Sequence, residues 1–215
     1  MLQYKVVDQP TLDLLNKINQ SSLFNKYRLV GGTALALIHG HPKSIDLDFF
    51  GSEKIDSDDL LVFFKSIGKI SEFKTSKKID SLFLNDVKID IVCYPYEWID
   101  GPLIEENIRL ASSKEIAAMK VAAIINRGTK KDFVDLNELL KIFSLQQIFD
   151  FYLQKFSDSS IFFALKSIVY FEDADEQEMP FMFDRIDWQT IKNNIKKAHA
   201  EYLLQKEGSS FNENN

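Results

Sequence analysis

Apolar residues recur at two different periods along the chain, and the period changes near residue 112. Pro10 followed by Leu12, Leu15, Ile18 and Leu23 predicts a helix over 10–25. Tyr27 to Val30 is a short apolar strand closed by Gly31-Gly32, and Thr33 to Ile38 makes a short helix. Ile45, Leu47 and Phe49 then alternate with Ser44, Asp46 and Asp48, the period of a strand with one buried face, so both aspartates point to the same side. A helix over 58–67, capped by Ser57 or Asp58, precedes strands at 69–74 and 79–84. Asn85-Asp86 is a hairpin signal, and the strand 87–93 that follows carries Asp90 on its polar face.

Gly101-Pro102 marks the boundary, and from Ser113 onward helical spacing takes over. Ser112 or Ser113 caps a run ended by Gly128; helices follow from 129 or 130 to 143 and over 144–156, 159–171 and 188–206. The acidic stretch 172–178 reads as a solvated loop and 208–215 as a disordered tail. The pattern predicts an α+β protein, with a mixed sheet over 1–100 and a helical region over 101–207 closing a cleft.

Composition narrows the function classes. At 215 residues, 45% hydrophobic and 27% charged, the chain has the profile of an ordinary globular protein, and its 18 phenylalanines should dominate the core. A net charge of −6 excludes a surface that grips nucleic acid all round, while a local basic face stays open. Cys93 is the only cysteine, so no intrachain disulfide forms, and its apolar strand predicts a core position. MLQYKVVDQP lacks the charged head and apolar body of a signal peptide, and no run of about 18 apolar residues occurs, so no membrane span and a cytoplasmic location are expected.

The candidate chemistry lies on the polar faces of the strands. Side chains two apart on a strand are roughly 7 Å apart at their bases, so Asp46 and Asp48 can share a pair of Mg²⁺ ions, with Asp90 as the third carboxylate. Asp is disfavoured in strands, and three kept together without a cation would repel one another. Gly31-Gly32 presents backbone N–H groups and the positive end of a helix to phosphate oxygens, and Ser44 adds a hydroxyl. His39 and His41 read as surface or loop residues. Lys120 interrupts an apolar helix, so its ammonium must snorkel or meet an anion. Arg127, Lys130 and Lys131 form a basic cluster where two helices join.

Four blocks in this order, GGTALALIHGH, KSIDLDFF, VKIDIVCYPY and AAMKVAAIINRGTKKDFVDLNELL, resemble the AbiEii/AbiGii-type nucleotidyltransferases of the DNA polymerase β-like superfamily, over about Arg28 to Leu140. The resemblance implies a nucleotidyltransferase core that moves a nucleoside monophosphate from an NTP to a hydroxyl, on a tRNA 3′ end or a protein side chain, as a toxin neutralised by an antitoxin protein. It implies that Gly31, Gly32 and Ser44, with Thr33 beside them, hold the triphosphate. It further implies that Asp46 and Asp48 bind the metals, that Asp90 assists or takes the acceptor proton, that Lys120 faces the phosphates and that Asp132 is a functional carboxylate. Arg127, Lys131 and Asp135 match the polar positions around them. The chain departs from many relatives in having Pro42-Lys43 where an arginine follows the Gly-His pair, and Lys43 offers a point charge in place of a bidentate fork. Nucleotidylation of a small molecule such as an aminoglycoside, and a non-catalytic binding protein of the same fold, are the alternative readings.

Overall fold

The computed structural model describes residues 1–40, 46–182 and 186–212. The chain forms two compact units, Met1–Ile116 and Ala117–Asn215.

The first unit is built on a seven-stranded mixed sheet in the order β3-β4-β5-β2-β1-β7-β6. Its strands are β1 (Tyr27–Val30), β2 (Leu47–Gly51), β3 (Ile70–Thr75), β4 (Ile79–Leu84), β5 (Val87–Cys93), β6 (Leu103–Glu105) and β7 (Ile108–Leu110). β1 runs antiparallel to β2, whereas β2 pairs with β5 and β1 with β7 in parallel. Asn85 and Asp86 both have positive φ, 49° and 65°, the backbone of the tight turn whose twist matches its flanking strands. Glu106 and Asn107 repeat it, at 50° and 68°. The sheet therefore runs past Gly101-Pro102, where a change of composition suggested a boundary; β6 and β7 are too short for their alternation to register.

Helices α1 (Gln9–Gln20), α2 (Gly31–His39) and α3 (Ser57–Ile67) accompany the sheet. Asp8 caps α1 by accepting from Thr11 N–H at 2.9 Å. Asp56, one residue before the cap expected from the sequence, caps α3 through the N–H groups of Asp58 and Asp59 at 2.9 and 3.4 Å. Ala34 to Leu37 of α2 are all buried, as an element apolar on every side requires. Phe24 centres the core, its ring 5.3 Å from Phe49, 5.6 Å from Tyr27 and 6.0 Å from Phe64 in edge-on contacts. Cys93, expected in the core, ends β5 half-buried with Sγ 3.8 Å from the Ser52 carbonyl.

α4 (Ser113–Asn126) runs from the end of the first unit into the second, its first turn capped by Ser112 Oγ at 3.2 Å from Glu115 N–H. The second unit continues with α5 (Lys130–Leu139), α6 (Leu145–Lys155), α7 (Ile161–Ser167), α8 (Glu172–Asp175) and α9 (Trp188–Asn212). Ser144 and Gln147 form a reciprocal capping box at the start of α6. The acidic stretch is solvated as expected, with all of 172–178 but Ala174 exposed, yet it is not a loop: α8 forms within it, and Asp175 accepts from Trp188 Nε1 at 2.6 Å and Lys192 Nζ at 2.8 Å. α9 continues through Asn212, into the stretch read as a tail. No helix among the described residues is long and apolar enough to cross a membrane.

Candidate active site

The carboxylates lie where α2 meets the sheet. Gly31 opens α2 with φ +71°, and a Cβ there would stand 2.5 Å from Asp48 Oδ2. Only glycine accepts both the left-handed backbone and the close approach. Gly31 and Gly32 are thus the first residues of the helix rather than a turn before it, and Val30, at the N-cap position, offers that end no side-chain hydrogen bond. The positive end of α2 lies beside the Asp48 carboxylate, an arrangement suited to anions and their counter-cations.

Strand register adds the next carboxylate. Asp48 of β2 is the partner of Asp90 on β5, and in β2 and β5 the residues alternate between buried and half-buried, with both aspartates on the half-buried side. Asp46 lies just before β2, and its carbonyl accepts the Thr33 hydroxyl. Thr33 is 1% exposed, so its hydroxyl fixes the position of Asp46 from within rather than reaching a ligand. Lys43 and Ser44, as well as His41 and Pro42, lie outside the described residues. His39 Nε2 is 2.8 Å from Ser113 Oγ, at the end of α2.

Two residues that the sequence did not single out complete this group. Ser81 on β4 donates to Asp90 Oδ1 at 2.5 Å, and Lys88 Nζ donates to Asp90 Oδ2 at 2.6 Å. The hydrogen bond to Asp90, reinforced by the charges of Asp90, Asp48 and Asp46, outweighs burial and holds the Lys88 ammonium above its ordinary range. Lys88 offsets part of the charge that Asp90, Asp48 and Asp46 bring to this part of the sheet. Among the described residues no group of three or more His, Cys, Asp or Glu is gathered closely enough to hold a metal ion as it stands. The donors are nonetheless hard oxygens of the kind that suit Mg²⁺, and the Lys88 ammonium offsets only part of their charge.

The second unit holds a separate charged cluster. Lys120 is 7% exposed, and its ammonium meets Asp132 Oδ1 at 3.1 Å and the Asp135 carboxylate. Asp132 also accepts from Arg127 Nε at 2.9 Å, Arg127 Nη2 at 3.0 Å and Thr129 Oγ1 at 2.6 Å. Burial pushes the Asp132 carboxyl up, but the bonds from Arg127 and Thr129 and the charge of Lys120 override it and hold it well below the carboxylate range. Burial pushes Lys120 down, and the charges of Asp135 and Asp132 more than reverse that. The ammonium expected to snorkel or meet an anion thus meets two carboxylates of its own chain.

The basic cluster read from the sequence is divided. Lys130 is buried, with Nζ on the carbonyls of Asp175 and Gln177 at the end of α8, where cations satisfy carbonyls left without a helical partner. Arg127 is bound to Asp132, and Lys131 is exposed.

Comparison with known proteins settles the family. The family model described as "Nucleotidyl transferase AbiEii toxin, Type IV TA system" matches residues 13–207. The chain belongs to the AbiEii nucleotidyltransferase toxin family. An uncharacterized protein of Aquifex aeolicus (strain VF5) is 32% identical over 202 residues, which cover 89% of this chain and 95% of that protein. Among solved structures, JHP933 from Helicobacter pylori is similar with a TM-score of 0.57 at 21% identity, covering 96% of this chain and 98% of that one. MenT4, a nucleotidyltransferase toxin of Mycobacterium tuberculosis H37Rv, has a TM-score of 0.54 at 14% identity, covering 88% and 81%. At these identities the solved structures speak to the fold, and they agree with the α+β architecture.

Within this AbiEii-family chain, the structure brings Gly31, Asp48 and Asp90 together, with Asp46 beside them. It gathers Lys120, Arg127, Asp132 and Asp135 in the second unit. Lys88 and Ser81 were legible in retrospect, because both alternate onto the half-buried side of strands flanking Asp90. A lysine two residues from an aspartate on a strand is ordinarily read as a solvated pair, and that masked it.

Proposed function

We propose that this family member transfers a nucleoside monophosphate from an NTP to a hydroxyl of an RNA 3′ end, with Asp46, Asp48 and Asp90 as its Mg²⁺-binding carboxylates. The observation that supports the reading is the approach of Asp48 to Gly31: the carboxylate lies so close to the start of the helix that a Cβ on Gly31 would stand 2.5 Å from Asp48 Oδ2. Phosphate oxygens are favoured at that helix end by its N–H groups and dipole, and Gly31 and Gly32 let the backbone come close. Family membership supports nucleotidyl transfer as the activity and toxicity as its outcome.

In this reading the acceptor hydroxyl oxygen bonds to the α-phosphorus, the bond to the bridging oxygen breaks, and pyrophosphate leaves. The acceptor proton passes to a base, a role that fits Asp90. Ser81 and Lys88 hold both of its oxygens and so fix where that base stands. Mg²⁺, when bound, neutralises phosphate charge and stabilises the attacking and leaving oxygens. Lys120 and Asp132, which the family resemblance marks as functional positions, are each held in the charged form within the second unit. The family's type IV toxin–antitoxin setting supports an antitoxin protein as partner.

The test is incubation of the chain with each α-labelled NTP, Mg²⁺ and separate pools of tRNA, protein and aminoglycoside. Label on tRNA, lost in Asp46→Ala and Asp48→Ala variants that still fold, is the expected result. Label on protein or aminoglycoside alone replaces the proposed acceptor; no label in any pool removes the proposal.

A further inference from the structure

At the far end of β1 from Gly31 the first unit contains a cavity of about 250 Å³. β1 spans roughly 10 Å between the two places. Asn25, Lys26, Arg28, Ser52, Trp98 and Arg109 are among the residues lining it, and among the described residues no carboxylate is. Three cations therefore converge on one concave space in a chain whose net charge is −6.

The two arginines are neighbours by topology. Leu29 of β1 is the parallel partner of Leu110 of β7, so Arg28 and Arg109, each one residue earlier, stand side by side on adjacent strands. Strands lie about 4.8 Å apart, and like charges placed beside each other in a sheet are destabilising without an intervening counter-charge. Each guanidinium is also fixed. Arg28 lies 4.1 Å over the Trp98 ring and donates Nη1 to the Asp100 carbonyl at 2.7 Å. Arg109 donates Nη2 to the carbonyls of Asn19 and Phe24 at 3.0 and 3.3 Å. These partners are neutral carbonyls and a ring, which orient the forks; the charges of Glu115 and Asp100 reach Arg28 from outside the cavity lining. Arg109 Nε is buried and meets no hydrogen-bond partner among the described residues. Lys26 adds an exposed ammonium, paired at 2.6 Å with the exposed Glu53.

We propose that this cavity is a second anion site, which binds a phosphate group through Arg28, Arg109 and Lys26. Planar guanidinium forks held in place match the oxygens of a phosphate, and a lysine contributes a point charge. The phosphate reaches the cavity either free or as a phosphodiester of an RNA strand; both present the same oxyanion. The site stands apart from the nucleotidyl-transfer reading and survives if that reading fails.

Trp98 reports on the cavity. The chain has two tryptophans, so Trp188→Phe leaves Trp98 as the only one. In that background, emission is followed in EDTA at constant ionic strength against inorganic phosphate and, separately, against a short single-stranded oligoribonucleotide. The expected result is a saturable change with at least one of them. Saturation by phosphate identifies free phosphate as a sufficient ligand, and saturation by the oligonucleotide alone identifies the RNA backbone; either supports the site. Arg28→Gln should weaken the affinity about tenfold or more and Lys26→Gln by several-fold, with melting temperatures close to the parent. Arg109 is left intact because its bonds to Asn19 and Phe24 tie α1 to β7. Absence of a saturable change with either probe, or full affinity in both variants, overturns the proposal.

Discussion

The Asp48 carboxylate packs against the backbone of Gly31, leaving no room for a Cβ, which would meet Oδ2 at 2.5 Å. Because Gly31 also has φ +71°, Gly31→Ala combines backbone strain with a clash against a side chain of the proposed metal site. We expect a loss of stability of about 1–3 kcal/mol and loss of transferase activity larger than the unfolded fraction explains. Urea denaturation, with activity assayed at a temperature where both proteins are folded, separates the two effects.

Lys88 makes a different prediction. Lys88→Met removes the ammonium that is bonded to Asp90 and that feels the charges of Asp48 and Asp46. The lysine is substantially exposed, so screening by solvent limits the cost to about 1 kcal/mol or less. Mg²⁺ stabilises a protein only by binding its folded state, and without a competing ammonium the variant should gain more thermal stability from Mg²⁺ than the parent does. An equal gain in the two proteins would show that Lys88 and the metal do not share the carboxylates.

The cluster of the second unit is a stability device as it stands. Lys120→Met would leave Asp132 and Asp135 buried with one cation fewer, at a cost of about 3–5 kcal/mol. Adding Asp135→Leu removes one of the uncompensated carboxylates and should recover part of the loss. Chemical denaturation of the single and double variants measures both; a double variant less stable than the single one contradicts the assignment.

Asp132 also sets a pH dependence. Its folded-state pKa lies below the unfolded one, so its contribution is fully present above the ordinary carboxylate range and is lost as pH falls below it. One such group changes stability by at most about 1.4 kcal/mol per pH unit. Denaturation midpoints from pH 6 to pH 3 should therefore fall less steeply in Asp132→Asn than in the parent, although the variant starts from lower stability at pH 6. Parallel slopes would contradict the proposed balance of bonds on Asp132.

The features legible in the sequence are those governed by local periodicity. β4 and β5 occupy 79–84 and 87–93, as the alternation and the Asn85-Asp86 turn require, and the shared side of Asp48 and Asp90 follows from the same period. The β6–β7 hairpin was not legible, because three residues per strand leave no alternation to read and its Glu106-Asn107 turn lacks glycine. Partners distant in sequence were hidden for a different reason. Lys120, a lone lysine in an apolar helix, and Lys130, one of a basic cluster, show nothing in sequence of the partners they find. Only the packing of α5 gives one of them carboxylates and the other the carbonyls beyond α8. The same holds for Asp56, whose capping role is decided by where α3 begins.

The central claim is that Asp48, held against Gly31 and in register with Asp90, belongs to a metal-dependent nucleotidyl-transfer site. Its most direct test is the rate of label transfer from α-labelled NTP to tRNA by Asp48→Asn, with the melting temperature measured in parallel. The account predicts transfer reduced at least a hundredfold in a protein that melts within a few degrees of the parent. Transfer at the parental rate by a folded Asp48→Asn protein would contradict it.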